Sequence, residues 1–166
     1  KYFGGNAELI KRFIEIEDRS SRGEIALTMA EQGFAELAQI PFEQVADELA
    51  QNPRNTELIE FIAKDLKNKF KIGFLSNVAK DRTKELFTDA DIALFDDIVL
   101  SFQVGLAKPD PQIFVLAAQR LGLEPEECVF VDDLSKYLVG ADSIGMKTIL
   151  YENFDSFKKE LEVVLG

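Results

Sequence analysis

The sequence predicts an α/β fold: a parallel sheet with crossover helices, preceded by a small helical subdomain. Three observations carry this. From residue 56 onward, short apolar runs alternate with segments of helical periodicity, the pattern of β-α-β crossovers. Before residue 52 the periodicity is helical only. Between the two regions lies Asn52-Pro53-Arg54-Asn55, a turn-forming junction. The expected division is therefore 1–53 for the helical subdomain and 54–166 for the α/β part.

The elements follow from period and punctuation. Leu9, Ile10, Phe13, Ile14 and Ile16 recur at helical spacing until Ser20-Ser21-Arg22-Gly23 breaks the pattern. Ile25, Leu27, Met29, Phe34 and Leu37 place a second helix over 24–37. Phe42, Val45 and Leu49, after Pro41, form a third short one. Thr56 is expected to cap a helix carrying Leu58, Ile59, Ile62 and Leu66. Strands are expected over 71–76, 97–101, 128–132 and 147–151, with helices over 80–87, 111–121, 135–144 and 155–165. Pro111 opens one of these helices, and Gly122 and Gly145 close two of them. No internal repeat or low-complexity tract is visible.

The totals exclude several chemistries. A chain of 166 residues has room for one domain, or a domain with a small appendage. Its 46% hydrophobic content, with 14 Phe, is ample for a packed core. A net charge of −11 repels nucleic-acid backbones and anionic lipid headgroups, so neither is expected as a partner. The absence of histidine rules out Ser-His-Asp and Cys-His catalysis and histidine-bound zinc within this polypeptide. Cys128 alone cannot make an intrachain disulfide and reads as a buried free thiol, which fits a reducing cytoplasm. No signal peptide or bilayer-length apolar stretch is visible. The first residue is Lys1 rather than Met, which reads as a fragment or processed product.

Three polar signatures end or follow apolar runs. They are Phe74-Leu75-Ser76-Asn77, Lys108-Pro109-Asp110 and Val129-Phe130-Val131-Asp132-Asp133. In open α/β sheets, ligands bind at the carboxyl ends of the strands. Ser76 and Asn77, before a helix expected near Lys80, can cradle a phosphate or simply cap that helix. Lys108 can neutralise a phosphate or a carboxylate nucleophile as a point charge, or be a solvated loop lysine. Asp132-Asp133 crowds two charges at a strand end, an arrangement that suits Mg²⁺ with its hard oxygen ligands, water and phosphate. A capping Asp beside a solvated neighbour is the plainer account of the same pair. Asp89-Ala90-Asp91 reads as a solvated connection, and Asp96-Asp97 precedes a strand rather than ending one.

The combined order of these signatures resembles the haloacid dehalogenase-like (HAD) hydrolase superfamily over 56–151. Phe95-Asp96-Asp97-Ile98-Val99-Leu100-Ser101 and Gly140-Ala141-Asp142-Ser143-Ile144-Gly145-Met146 add supporting matches. The resemblance implies a Rossmann-like parallel sheet with a small helical cap formed by the first fifty or so residues. It further implies phosphoryl transfer through an aspartate nucleophile after the first core strand, with a second aspartate two residues later as general acid and base. Carried over by motif, Ser76 hydrogen-bonds the transferring phosphoryl group with Asn77 in support. Lys108 offsets charge on nucleophile and phosphate, and Asp132 and Asp133 hold Mg²⁺. Two carboxylates at the third motif favour phosphatase over dehalogenase chemistry, since the dehalogenases carry a Ser-Asn type sequence there. The stretch Gln103 to Pro111 is similar to the phosphatase-type domain of epoxide hydrolases and to sugar-phosphate phosphatases.

Three departures stand against the family pattern. Leu134 replaces a small polar residue, Tyr137 stands where Asn is common, and the strand bearing the nucleophile is absent from this chain. That strand normally lies at the centre of the sheet, flanked by strands 71–76 and 128–132, so its absence leaves two edges unpaired. The expectation is a Mg²⁺-dependent phosphohydrolase acting on a small phosphorylated metabolite, inactive in this form because the nucleophile lies upstream. A non-catalytic binding or regulatory module and a haloacid dehalogenase are the alternatives. Oligomeric state is not readable from the sequence.

Overall fold

The computed structural model describes residues 3–45 and 54–166. Leu49, Asn52 and Pro53, and with them part of the expected third helix and junction, lie outside the described residues. The chain forms two compact units. The first comprises residues 1–54, 76–88 and 100–107; the second comprises 55–75, 89–99 and 108–166.

Within the first unit, helices Ala7–Ser21 and Leu27–Ala38 pack on each other. The Asn6 side chain accepts hydrogen bonds from the backbone of Glu8 and Leu9, satisfying donors that a helix start leaves open. Between the helices Gly23 takes φ 71°, with the backbone of Phe102 directly against it. Ala30, Phe34 and Val45 form the buried centre, with Phe13, Ile16, Ile25 and Ile40 packed around them. The second helix starts at Leu27, three residues later than the periodicity suggested, and residues 42–45 are helical.

In the second unit the helix at residue 56 is Thr56–Phe61, continued as a π-helical turn over Ile62–Leu66. Its cap is Asn55, whose side chain accepts from Leu58 N; Thr56 is the first helical residue. Among the described residues there are four short strands: β1 (Gly73–Ser76) and β2 (Asp97–Leu100), whose last residues are counted with the first unit, and β3 (Val129–Asp132) and β4 (Lys147–Leu150). β3 and β4 are parallel, with Val129 opposite Lys147 and Asp132 opposite Leu150. Among the described residues β1 pairs with β2 and β3 with β4, as separate two-stranded sheets. One long side of β1 and one of β3 therefore has no strand partner there.

β3 is covered on both faces, which explains its unbroken apolar run. Val129 and Val131 join Ile149, Phe157 and Leu161 under the final helix Phe154–Leu165. Phe130, pointing the other way by the period of two, meets Phe114 edge-on at 4.8 Å between centroids. Phe114 and Ile113 are wholly buried in helix Pro111–Leu121, whose bounds are those the sequence predicts: Asp110 caps it, Pro111 opens it, and Gly122 at φ 69° ends it. Helix Ser135–Asp142 is shorter than expected. Its Gly140 sits so close to the Pro109 carbonyl that an added Cβ would lie 2.0 Å from that oxygen and 2.7 Å from a Phe114 ring carbon.

Asp96 ties the entries of β1 and β2 together. Its carboxylate accepts from Ile72 N at 2.7 Å and pairs with Lys67 at 2.8 Å, while its own N–H donates to Ile72 O at 2.7 Å. The Lys67 hydrogen bond, and then the Ile72 N–H, hold its carboxyl below the usual aspartate range. A depressed carboxyl stabilises the fold above its unfolded pKa, and that contribution fades as pH falls through the folded value. The stability gap between wild type and Asp96→Asn is thus expected to be positive at neutral pH and to close in acid. Being partly exposed, the pair contributes under about 1 kcal/mol. Urea unfolding across pH reads this, and a gap that widens on acidification contradicts it. Gly140→Ala is expected to cost about 3 kcal/mol, because the clash is with backbone that cannot rotate away. An unchanged urea midpoint would show that the helix is free to shift.

Candidate active site

Ser76 and Asn77 belong to the first compact unit, and Lys108, Asp132 and Asp133 to the second. Each set has its own local geometry.

Ser76 ends β1, and both it and Asn77 are half-buried. The helix expected from Lys80 does not start there. It is the single turn Thr83–Leu86, with Arg82 at its cap position and no side-chain cap. The reason is local: Asp81 accepts from both the N–H and the hydroxyl of Thr83, at 2.9 and 2.6 Å, a turn that competes with helix. Those bonds, the hydroxyl first, lower the Asp81 carboxyl. Neither capping nor a helix-start phosphate cradle therefore describes Ser76 and Asn77. The segment after them is instead pinned by Ser101, wholly buried, whose hydroxyl accepts from Val78 N at 2.9 Å and donates to Val78 O at 3.1 Å. Ser101 opens a short helix, Ser101–Val104, instead of ending β2.

Lys108 is no solvated loop lysine. The structure brings it and Asp132 together as a buried ion pair, Nζ to Oδ2 at 2.5 Å, each side chain 8% exposed. Lys108 also reaches the Leu75 carbonyl at 3.5 Å. Its ammonium lies 4.8 Å from the centroid of the Tyr137 ring and 5.5 Å from that of Phe130. The Lys108–Pro109 peptide is cis. Asp132 is the last residue of β3, and its other oxygen, Oδ1, accepts from Leu134 N at 2.9 Å. Asp133, next along, is exposed. The two carboxylates thus stand in different environments: one buried and engaged at both oxygens, one open to water.

Neither aromatic neighbour was among the expected site residues. Phe130 was legible, since the strand period puts residues 130 and 132 on one face. Tyr137 has no such signal; it arrives through the turn of Leu134, whose carbonyl accepts from Tyr137 N at 2.9 Å as the helix begins. Cys128 is partly exposed rather than buried; partial desolvation, and then Glu127, raise its thiol pKa. Asp91, read as solvated, is 5% exposed within a short helix, Asp89–Ile92.

Among the described residues no cluster of three or more His, Cys, Asp or Glu side chains is placed to hold a metal ion. That still suits Mg²⁺, which commonly takes one or two carboxylates and completes its shell with water and phosphate. Asp132 and Asp133 supply that donor chemistry. No described helix is long and apolar enough to cross a membrane.

A family model for haloacid dehalogenase-like hydrolases matches residues 1–135, well over half of the chain. The chain belongs to this family. Bifunctional epoxide hydrolase 2 of Sus scrofa is 46% identical to it over 72 residues, 43% of this chain and 13% of that protein. Glyceraldehyde 3-phosphate phosphatase of Methanopyrus kandleri is 40% identical over 82 residues, 48% of this chain and 35% of that protein. The chain thus spans well under half the length of these relatives. A HAD family enzyme of Bacteroides thetaiotaomicron, crystallised with magnesium and inorganic phosphate, shares the fold: TM-score 0.66, 21% identity, covering 90% of this chain and 89% of that one. The parallel-stranded α/β architecture expected from the sequence is that of this HAD family structure.

Because Lys108 and Asp132 are buried together, losing either leaves an uncompensated charge. Lys108→Met and Asp132→Asn are each expected to cost about 3 kcal/mol, and the double variant less than their sum. Urea unfolding of the four proteins measures the coupling. Strict additivity means that the charges do not depend on each other.

Proposed function

We propose that this chain is part of a Mg²⁺-dependent phosphomonoester hydrolase acting on a small phosphorylated metabolite. The observation that carries the reading is the buried Lys108–Asp132 pair at the end of β3, with a second carboxylate, Asp133, exposed beside it. Apolar residues of similar size often stabilise a fold as well as a buried ion pair does, and a site for anion and cation chemistry supplies a reason for this one. Residues 1–53 are the cap subdomain in this reading and 54–166 the α/β core.

The attacking carboxylate is assigned to a strand upstream of Lys1, followed by Asp-x-Asp. Support comes from the side of β1 and the side of β3 that lack a strand partner among the described residues. The nucleophile attacks phosphorus and the bond to the substrate's alcohol breaks, the second aspartate giving its proton to the departing oxygen. That aspartate then takes a proton from the water that hydrolyses the aspartyl phosphate, releasing inorganic phosphate and the free carboxylate. Lys108 offsets charge on the nucleophile and on the phosphoryl oxygens, and Ser76, supported by Asn77, donates a hydrogen bond to the phosphoryl group. Asp132 and Asp133 would hold Mg²⁺, which when bound supplies positive charge to the equatorial oxygens.

Asp132 has both oxygens engaged by protein donors, which favours a second reading, a binding module that turns nothing over. One experiment separates them. p-Nitrophenyl phosphate hydrolysis with Mg²⁺ is measured for the 166-residue chain and for a longer gene product carrying the upstream segment. Turnover is expected in the long form only, and Lys108→Met in that form is expected to lower kcat by at least about 100-fold. Turnover by the short form overturns the assignment of the nucleophile. An inert long form overturns the enzyme.

A further inference from the structure

We propose that Tyr137 is a positioning residue for Lys108, its ring holding the ammonium at Asp132 Oδ2. The inference rests on the reading of Lys108 as the cation that serves the phosphoryl group, and it adds a residue which that reading does not contain.

The argument begins with the lysine. An ammonium on a flexible four-carbon stem has three donors and no fixed direction, so its location is set by what surrounds it. Here one donor meets Asp132 Oδ2 at 2.5 Å, while the Leu75 carbonyl, at 3.5 Å, is a long contact. Two aromatic rings also flank the ammonium, Tyr137 being the nearer at 4.8 Å. The negative face of an aromatic ring attracts a cation, and the attraction grows when water is excluded. Water is largely excluded here: Lys108 is 8% and Tyr137 9% exposed.

The turn after β3 adds a second link. Leu134 N binds Asp132 Oδ1, and Leu134 O accepts from Tyr137 N. A single turn therefore holds the carboxylate through its backbone and the ammonium through a side chain three residues on. Displacing the ring would remove the nearer of these two aromatic contacts and widen the range of positions the ammonium can take against the carboxylate. A residue that merely filled space could be any apolar side chain of similar size. A positioning residue must be aromatic, and that difference is measurable. Lys136, whose exposed ammonium lies 4.7 Å from the centroid of the same ring, provides a control.

The test is nitrogen-detected NMR of lysine ammonium groups in the 166-residue chain. A slowly exchanging, ring-shifted Lys108 signal is expected, assigned by its loss in Lys108→Gln. Tyr137→Phe and Lys136→Ala are expected to keep it. Tyr137→Leu is expected to lose it while the backbone spectrum stays folded. If Tyr137→Leu does not fold, Tyr137→Met, which fills similar space without a ring, takes its place. Survival of the signal in the ringless variant overturns the proposal. In the longer gene product, the ringless variant is expected to lower kcat on p-nitrophenyl phosphate about tenfold with little change in KM, and Tyr137→Phe to restore it. A longer wild type without turnover defeats the phosphatase reading alone, and the NMR arm still decides the role of Tyr137.

Discussion

The buried contact between Lys108 and Asp132 is the constraint around which the second unit is arranged. Moving two opposite charges out of water costs several kcal/mol per ion, and attraction between them repays this only when other groups complete their shells. The fold provides those groups from separate stretches of chain. Leu75 contributes a carbonyl from β1, Leu134 an N–H from the turn after β3, and Phe130 and Tyr137 contribute ring faces. Each lies within reach only because the element carrying it is packed in place. An ion pair that ties together the end of one strand, the approach to a helix and the start of another is sensitive to errors in any of them.

The packing behind the pair shows how that placement is achieved. Lys108 is followed by Pro109, whose carbonyl faces Gly140 so closely that no side chain fits between. Helix Ser135–Asp142, which bears Tyr137, is thereby seated on the loop that bears Lys108. Phe114 fills the adjoining space and meets Phe130 edge-on, coupling helix Pro111–Leu121 to the face of β3 that also carries Asp132. On the opposite face Val129 and Val131 are held by the final helix through Phe157 and Leu161. The strand end is thus rigid for ordinary reasons of apolar burial, and the charged pair inherits that rigidity.

Much of this was legible in the sequence, and the parts that were not share a cause. Helix Pro111–Leu121 was readable to the residue because proline and glycine act through their own backbone geometry, whatever the surroundings. The HAD-like α/β character followed from periodicity, and the order of the polar signatures pointed to the family that the comparison with known proteins shows. Expectations failed where a short polar side chain chose between local partners. Asn55 rather than Thr56 caps its helix, and Asp81 captures Thr83 and delays a helix expected at Lys80. Such choices are worth about 1 kcal/mol and leave no trace in a hydrophobic pattern. Lys108 and Asp132 could each be singled out by motif, but their mutual burial is a tertiary fact. Tyr137 looked like a departure from the family pattern, and only the fold shows what its ring touches.

The two aspartates after β3 are adjacent in sequence and opposite in circumstance, which argues that they are not interchangeable. Asp132 is buried, with one oxygen on an ammonium and the other on a backbone N–H. Those two bonds set its orientation, and the ammonium beside it balances its charge. A carboxylate offers about four acceptor directions, so these two bonds do not exhaust it. Asp133 is exposed, with its charge open to solvent. Crowding two anions at a strand end would ordinarily be costly. Here the nearer charge is neutralised from within by Lys108, so the turn carries little more than one net negative charge. That distribution lets two carboxylates stand side by side, one held in a fixed orientation and the other left accessible.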